Sequence, residues 1–418
     1  MKSFVINGQR RLCGETDIQG SKNSVLPIMA ATVLVNGESI IHNCPELSDV
    51  DAAVKILRLL GCTVKREGHT LIVNSENVNS YEIPDRLMRE MRSSVMFLGA
   101  ILGRMGKAVL STPGGCEIGL RPIDIHISSL RLLGVSFADE NGKLKFDIPD
   151  GLQGTRVTLP FPSVGATENV MLAACTAEGI TVINNAAREP EISDLADFLN
   201  KCGAHISGAG ESTVIIQGVK SLNSTEHRVI SDRIVAASYL LCAAVTNGNI
   251  CITDVVPSHI GSVLPVLREM GCTVETGINT VKLMSPEKLR RIRLIRTMPY
   301  PGFPTDIQAP VTAALSVADG TSVVIENIFE SRYKHVGELL RFGAKIHIEG
   351  RMAVIEGVNT LNGATVNATD LRGGFAMLIA ALAAQGGSVV LNTEHIDRGY
   401  EAPELVLSKL GADIKRTE

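Results

Sequence analysis

Two kinds of apolar stretch alternate along the chain. Segments 25–34, 95–102, 170–177, 234–245, 309–317 and 376–384 are apolar on nearly every face. A helix without a polar side must be buried. Each is followed by a glycine that opens a short strand: Gly37, Gly106, Gly179, Gly248, Gly320 and Gly386. About 25 residues later an amphipathic helix runs into a second glycine, at Gly61, Gly134, Gly203, Gly271, Gly343 and Gly411, spaced 68 to 73 residues apart. A glycine there marks a helix C-terminus that needs positive φ. Two short strands follow. The pattern predicts six copies of strand, buried helix, strand, amphipathic helix, strand, strand.

The sixth copy reaches Glu418 with only one of its last two strands, and segment 4–19 has strand character but no helix. That segment is expected to supply the missing strand. Three repeats then fall in 21–229 and three in 230–418 plus 1–20, predicting two similar α/β domains with a cleft between them. The expected crossings are Thr225, Glu226 and His227 on one side and Gln19, Gly20 and Ser21 on the other.

Composition narrows the function. Apolar residues make up 45% of the 418, net charge is −4, and aromatics are 4% with no Trp. These values argue against nucleic acid or an anionic membrane as the partner. No apolar run is long enough to span a bilayer, and the first residues lack a leader's apolar block. Nine Cys without a CxxC pair imply free thiols in a reducing compartment, so a cytoplasmic protein is expected. No metal motif, phosphate-binding lysine loop or dinucleotide fingerprint is present, so neither metal nor organic cofactor is expected.

Candidate chemistry lies at the starts of the buried helices and in the loops after the second strands. Lys22, Arg92, Arg233 and Arg372 open buried helices, where a cation opposes the helix dipole unless an anion is also bound. Arg121, Arg332 and Arg398 occupy equivalent loops, and the guanidinium fork suits carboxylate and phosphate. Lys22, Arg92, Arg121, Arg332 and Arg398 together fit a small substrate with several negative charges. Cys62, Cys175, Cys202, Cys242 and Cys272 sit at helix ends or inside apolar helices and read as packing. Cys116 alone lies in a glycine-rich loop, where a reactive thiol and an incidental exposed one are both open. His126 reads equally as a ligand contact or a satisfied surface histidine. Asp306 follows a proline-bounded approach, Pro301 to Pro304, and is either a helix-start carboxylate or a rigidly held base.

Five motifs carry a resemblance that runs essentially end to end: Gly20-Ser21-Lys22-Asn23; Pro113-Gly114-Gly115-Cys116 with Gly119-Leu120-Arg121-Pro122; Ser163-Val164-Gly165-Ala166-Thr167; Pro304-Thr305-Asp306; and Asp397-Arg398-Gly399-Tyr400. In this order the sequence resembles the UDP-N-acetylglucosamine 1-carboxyvinyltransferases (UDP-GlcNAc enolpyruvyl transferases) of the EPSP synthase superfamily. The resemblance implies a two-domain inside-out α/β barrel of six βαβαββ repeats. It implies transfer of the enolpyruvyl group of phosphoenolpyruvate to the 3′-hydroxyl of UDP-GlcNAc through a tetrahedral ketal, the first committed step of peptidoglycan synthesis, with no cofactor. Lys22, Arg121 and Arg398 would hold phosphoenolpyruvate, with Asn23, Arg92 and Arg332 nearby. Cys116 would protonate the methylene carbon, form a covalent adduct, and be the target of fosfomycin. Asp306 would take or orient the hydroxyl proton. Asn23, Arg92, Arg121, Pro122, Ile123, Asp124, Ile125, His126, Phe161, Pro162, Ser163, Val164, Gly165, Asp306 and Ile328 would bind the sugar nucleotide. Some members carry a lysine just before the Ser-Val-Gly turn; Phe161 and Pro162 stand there in this chain.

Three other readings are separable. EPSP synthases lack the Cys-bearing loop. RNA 3′-terminal phosphate cyclases share the repeat but need an adenylated histidine and a basic surface. An inactive, UDP-sugar-sensing paralogue is opposed by intact Lys22, Cys116, Asp306 and Arg398.

Overall fold

A computed structural model describes residues 2–111, 123–140 and 142–417, apart from the side chains of Arg92 and Ser93. The described residues fall into two compact units, one from Gly20 to Ile230 and one holding the residues up to Gln19 and from Ser231 onward. Each unit has its own apolar core.

Three buried helices lie at the heart of each core, and the alternating pattern of the chain accounts for them. Lys22–Ala31, Phe97–Met105 and Val164–Ala174 serve the first unit. Arg233–Val245, Gln308–Leu315 and Leu371–Ala383 serve the second. Amphipathic helices such as Ser48–Leu59 and Pro190–Lys201 bury one face against them. Strands cover the outside in four-stranded sheets, six among the described residues. In every sheet the first strand pairs parallel with the second, and the remaining pairs are antiparallel. Helices inside and sheets outside are the inverse of an ordinary α/β barrel.

Both predicted glycine series have structural work. The six glycines after the amphipathic helices have φ from +88° to +104°, the left-handed region in which a Cβ is strained. The six that open the second strands each accept a backbone hydrogen bond from the residue just after the neighbouring antiparallel strand. The donors are the N–H groups of Ser75, Ile148, Gly218, Ser285, Gly357 and Gly8, at 2.9 to 3.3 Å.

Gly8 belongs to that series because the N-terminal strand Ser3–Asn7 lies inside the sixth sheet, between Gly387–Leu391 and Asp413–Thr417. A second N-terminal strand, Cys13–Asp17, pairs parallel with Asn249–Thr253 and opens the fourth sheet. One expectation is corrected. Thr225, Glu226 and His227 are not a crossing but the middle of strand Leu222–Arg228, which pairs parallel with Val35–His42 and completes the first sheet. The chain leaves that unit only after Ile230.

No helix among the described residues is long and apolar enough to cross a membrane. Cys62, Cys175, Cys202, Cys242 and Cys272 are buried. Burial pushes the Cys175 and Cys202 thiols up to about 12, so they are inert packing groups near neutral pH.

Candidate functional site

Helix starts carry the polar groups of the first unit. Lys22 is the first residue of Lys22–Ala31 and nearly buried. Its Nζ lies 2.7 Å from Oδ2 of Asp49, in the first turn of Ser48–Leu59. That carboxylate offsets the charge that the helix dipole disfavours. Asn23 beside it is half-buried.

His126 sits in the first turn of helix Asp124–Leu132, buried, after the half-buried Ile123 and Ile125 and the exposed Asp124. Its ring lies against the start of helix Val164–Ala174, where Cε1 is 3.0 Å from the position a Cβ on Gly165 would take. Ser163 caps that helix, its Oγ accepting from the Ala166 N–H at 3.3 Å. Phe161 before the cap is exposed, and Pro162, Ser163 and Val164 are half-buried.

Burial holds the His126 ring at about 4, against a smaller upward pull from Asp124. Because the folded value lies below the ordinary 6.5, between these values the unfolded chain binds the extra proton. Stability therefore rises with pH across that window, is fully present above about 6.5 and is lost as pH falls toward 4. Replacing His126 with Gln should remove about 3 kcal/mol of this dependence, measured as urea midpoints of wild type and variant between pH 4 and 7.

In the second unit a carboxylate is gripped by two guanidinium groups. Asp306 lies in the 3-10 turn Thr305–Ile307. Nη2 of Arg332 donates to its Oδ1 at 2.7 Å; Nε and Nη2 of Arg372 donate to Oδ2 at 3.2 and 3.0 Å. Both arginines are buried, while Asp306 keeps 27% of its side chain exposed. Burial pushes the Asp306 carboxyl up, but Arg372 and Arg332 outweigh it and hold it well below the usual carboxylate range.

Each arm of the clamp is itself fixed. Asp370 caps helix Leu371–Ala383, accepting from the N–H groups of Arg372 and Gly373 at 3.0 Å. The Arg372 guanidinium lies 5.3 Å over the ring of Tyr400, which stacks on Phe375. Glu326 is fully buried. Its Oε1 accepts from Thr297 Oγ1 and from the N–H groups of Ile328 and Phe329, and its Oε2 from Thr305 Oγ1, at 2.8 to 3.0 Å. The residue before Asp306 and the loop bearing Ile328 are thus tied to one carboxylate. Arg398 ends the 3-10 turn Thr393–Arg398, half-buried.

Of the residues expected from sequence, Asp306 and Arg332 are in direct contact, Ile328 is held to the same segment, and His126 meets Gly165. Cys116, Arg121, Pro122 and the Arg92 side chain lie outside the described residues. The sequence singles out Arg372 as a cation at a helix start but leaves it out of the substrate set. Glu326, Asp49 and Asn169 were missed; each gains its meaning from at least one partner more than 20 residues away.

The EPSP synthase (3-phosphoshikimate 1-carboxyvinyltransferase) family model matches residues 6–407. UDP-N-acetylglucosamine 1-carboxyvinyltransferase 2 of Caldanaerobacter subterraneus subsp. tengcongensis is 50% identical over 416 residues, covering 100% of both chains. UDP-N-acetylglucosamine 1-carboxyvinyltransferase 1 of Symbiobacterium thermophilum is 47% identical over 418 residues, covering 99% of this chain and 95% of the relative. An enolpyruvyl transferase of Streptomyces tendae superposes with a TM-score of 0.89 at 24% identity, over 100% of this chain and 99% of that one, a likeness of fold. With its six repeats, its clamped carboxylate and this end-to-end similarity, the chain belongs to the EPSP synthase family, among the relatives curated as UDP-N-acetylglucosamine 1-carboxyvinyltransferases.

Proposed function

We propose that this chain transfers the enolpyruvyl group of phosphoenolpyruvate to the 3′-hydroxyl of UDP-GlcNAc in the cytoplasm, releasing phosphate. The observation that carries this reading is the full-length similarity to relatives of that name together with a thiol at Cys116 inside the 113–121 segment. In the addition step the hydroxyl oxygen bonds to C2 of phosphoenolpyruvate, C3 gains a proton and the hydroxyl loses one. In the elimination step C3 gives up a proton and the C2–O bond to phosphate breaks, restoring the double bond. Neither proton nor electron is consumed overall.

Lys22, Arg121 and Arg398 are assigned to the carboxylate and phosphate of phosphoenolpyruvate, with Asn23, Arg92 and Arg332 supporting them. Lys22 exchanges part of its pairing with Asp49 for the substrate anion. Cys116 is the proton donor to C3. Asp306, paired with two arginines, is a weak base but a firm hydrogen-bond acceptor, so it orients the hydroxyl. Full proton abstraction requires one guanidinium to move away first. Asn23, Arg92, the Arg121–His126 and Phe161–Gly165 stretches, Asp306 and Ile328 are assigned to the sugar nucleotide.

Phosphate release should require both substrates, and omission of either should abolish it. Release with shikimate 3-phosphate in place of UDP-GlcNAc would favour an EPSP synthase activity instead. Fosfomycin should add its full mass to the Cys116 peptide by thiolate opening of the epoxide, and a Cys116→Ala protein should stay unmodified. An unmodified wild-type peptide would count against the assignment of Cys116.

A further inference from the structure

Asn169 is fully buried in helix Val164–Ala174, with its amide held from three sides. Its Oδ1 accepts from the Gly99 N–H at 2.7 Å, and its Nδ2 donates to the Val95 carbonyl at 3.0 Å, with the Gly165 carbonyl a longer contact at 3.4 Å. A backbone N–H cannot accept and a carbonyl cannot donate, so these two bonds fix which end of the amide is which. The group facing Nδ1 of His126, 2.9 Å away, is therefore the NH2 end, a donor. Nδ1 must be the accepting, unprotonated nitrogen, and the proton of the neutral ring sits on Nε2. Among the described residues Nε2 has no hydrogen-bond partner. It lies 3.4 Å from the position a Cβ on Gly165 would take, in the first turn of the same helix.

We propose that Asn169 is a positioning residue that fixes His126 as the Nε2–H tautomer, so that His126 presents a donor to an acceptor oxygen of the bound sugar nucleotide beside Ser163–Gly165. The substrate half of this statement rests on the proposed function; the tautomer half does not. Asp124, exposed on the histidine's own helix, is the charged group that acts on the ring. The facing elements contribute Gly165, Asn169 and the Val95 and Gly99 backbone. A neutral donor orients an oxygen without adding charge at a helix start that already favours anions.

The test is nitrogen-15 NMR of the histidine-labelled full-length protein at pH 7, with the His126 signals assigned by their loss in His126→Gln. Wild type should show Nδ1 unprotonated and Nε2 protonated. Saturating UDP-GlcNAc, with binding followed separately by calorimetry, should shift the Nε2 resonance. In Asn169→Asp the carboxylate should draw a proton to Nδ1. UDP-GlcNAc affinity should fall about tenfold and kcat change by less than about twofold, the pattern of a lost binding contact. A protonated Nδ1 in wild type overturns the proposal whatever the variant does. An Nε2 resonance unmoved at calorimetric saturation overturns its substrate half. Absence of any UDP-GlcNAc binding overturns the proposed function while leaving the tautomer measured.

Discussion

Replacement of Asp306 with Ala should lower kcat about a thousandfold and remove about 3 kcal/mol of stability from the unit that contains it. The stability loss comes from Arg332 and Arg372, 4% and 3% exposed, which would be left as buried cations without their carboxylate. The lower end of the range for breaking buried pairs applies because Asp306 is itself 27% exposed. Asp306→Asn keeps the shape and one accepting oxygen, so it should cost less stability yet nearly as much turnover. Urea unfolding and phosphate release on the two variants separate the effects. The acid dependence follows from the depressed carboxyl. Its stabilisation is complete above the ordinary carboxylate value near 4 and is lost only as pH falls further, through the folded value.

The second large effect is expected at Glu326, which touches no predicted substrate atom. Truncation to Ala leaves two threonine hydroxyls and two backbone N–H groups without their acceptor, around a carboxylate that is itself fully buried. Unsatisfied buried donors cost about 1–3 kcal/mol each, and partial relaxation should hold the total to about 4 kcal/mol. Glu326→Gln keeps an acceptor on one oxygen and should cost about half as much. Because the segment at Ile328 is released in both while Arg332 keeps its bond to Asp306, KM for UDP-GlcNAc should rise more than the phosphoenolpyruvate KM. Equal rises in both would show that Glu326 supports the unit in general rather than this loop.

Most of the architecture was legible because it is written six times. A glycine that must adopt positive φ leaves a mark that no single core position leaves, and repetition separates it from chance. The strand Leu222–Arg228 escaped because its sequence, Leu-Asn-Ser-Thr-Glu-His-Arg, lacks alternating apolar residues. It is a sheet-edge strand that buries only Leu222 and His227, so it reads as a linker. At the site, Lys22, Asp306 and Arg332 stood out by charge at unusual places. Their restraints did not. Asp49 is an ordinary first-turn carboxylate, Glu326 an ordinary polar residue after a strand, and Asn169 a polar interruption of an apolar helix. Asp49 acquires its role from Lys22, 27 residues away, Glu326 from Thr305 and Thr297, 21 and 29 away, and Asn169 from His126 and Val95, 43 and 74 away.

The placement of Ser3–Asn7 between Gly387–Leu391 and Asp413–Thr417 bears on how the protein is made. Every strand of the 20–230 unit has its partners available once residue 230 has left the ribosome. Strand Ser3–Asn7, by contrast, must remain unpaired until residues 387–391 and 413–417 emerge. During that interval its two edges are open to other chains. A ribosome stalled late in translation should hold one finished unit and one that still lacks its closing sheet.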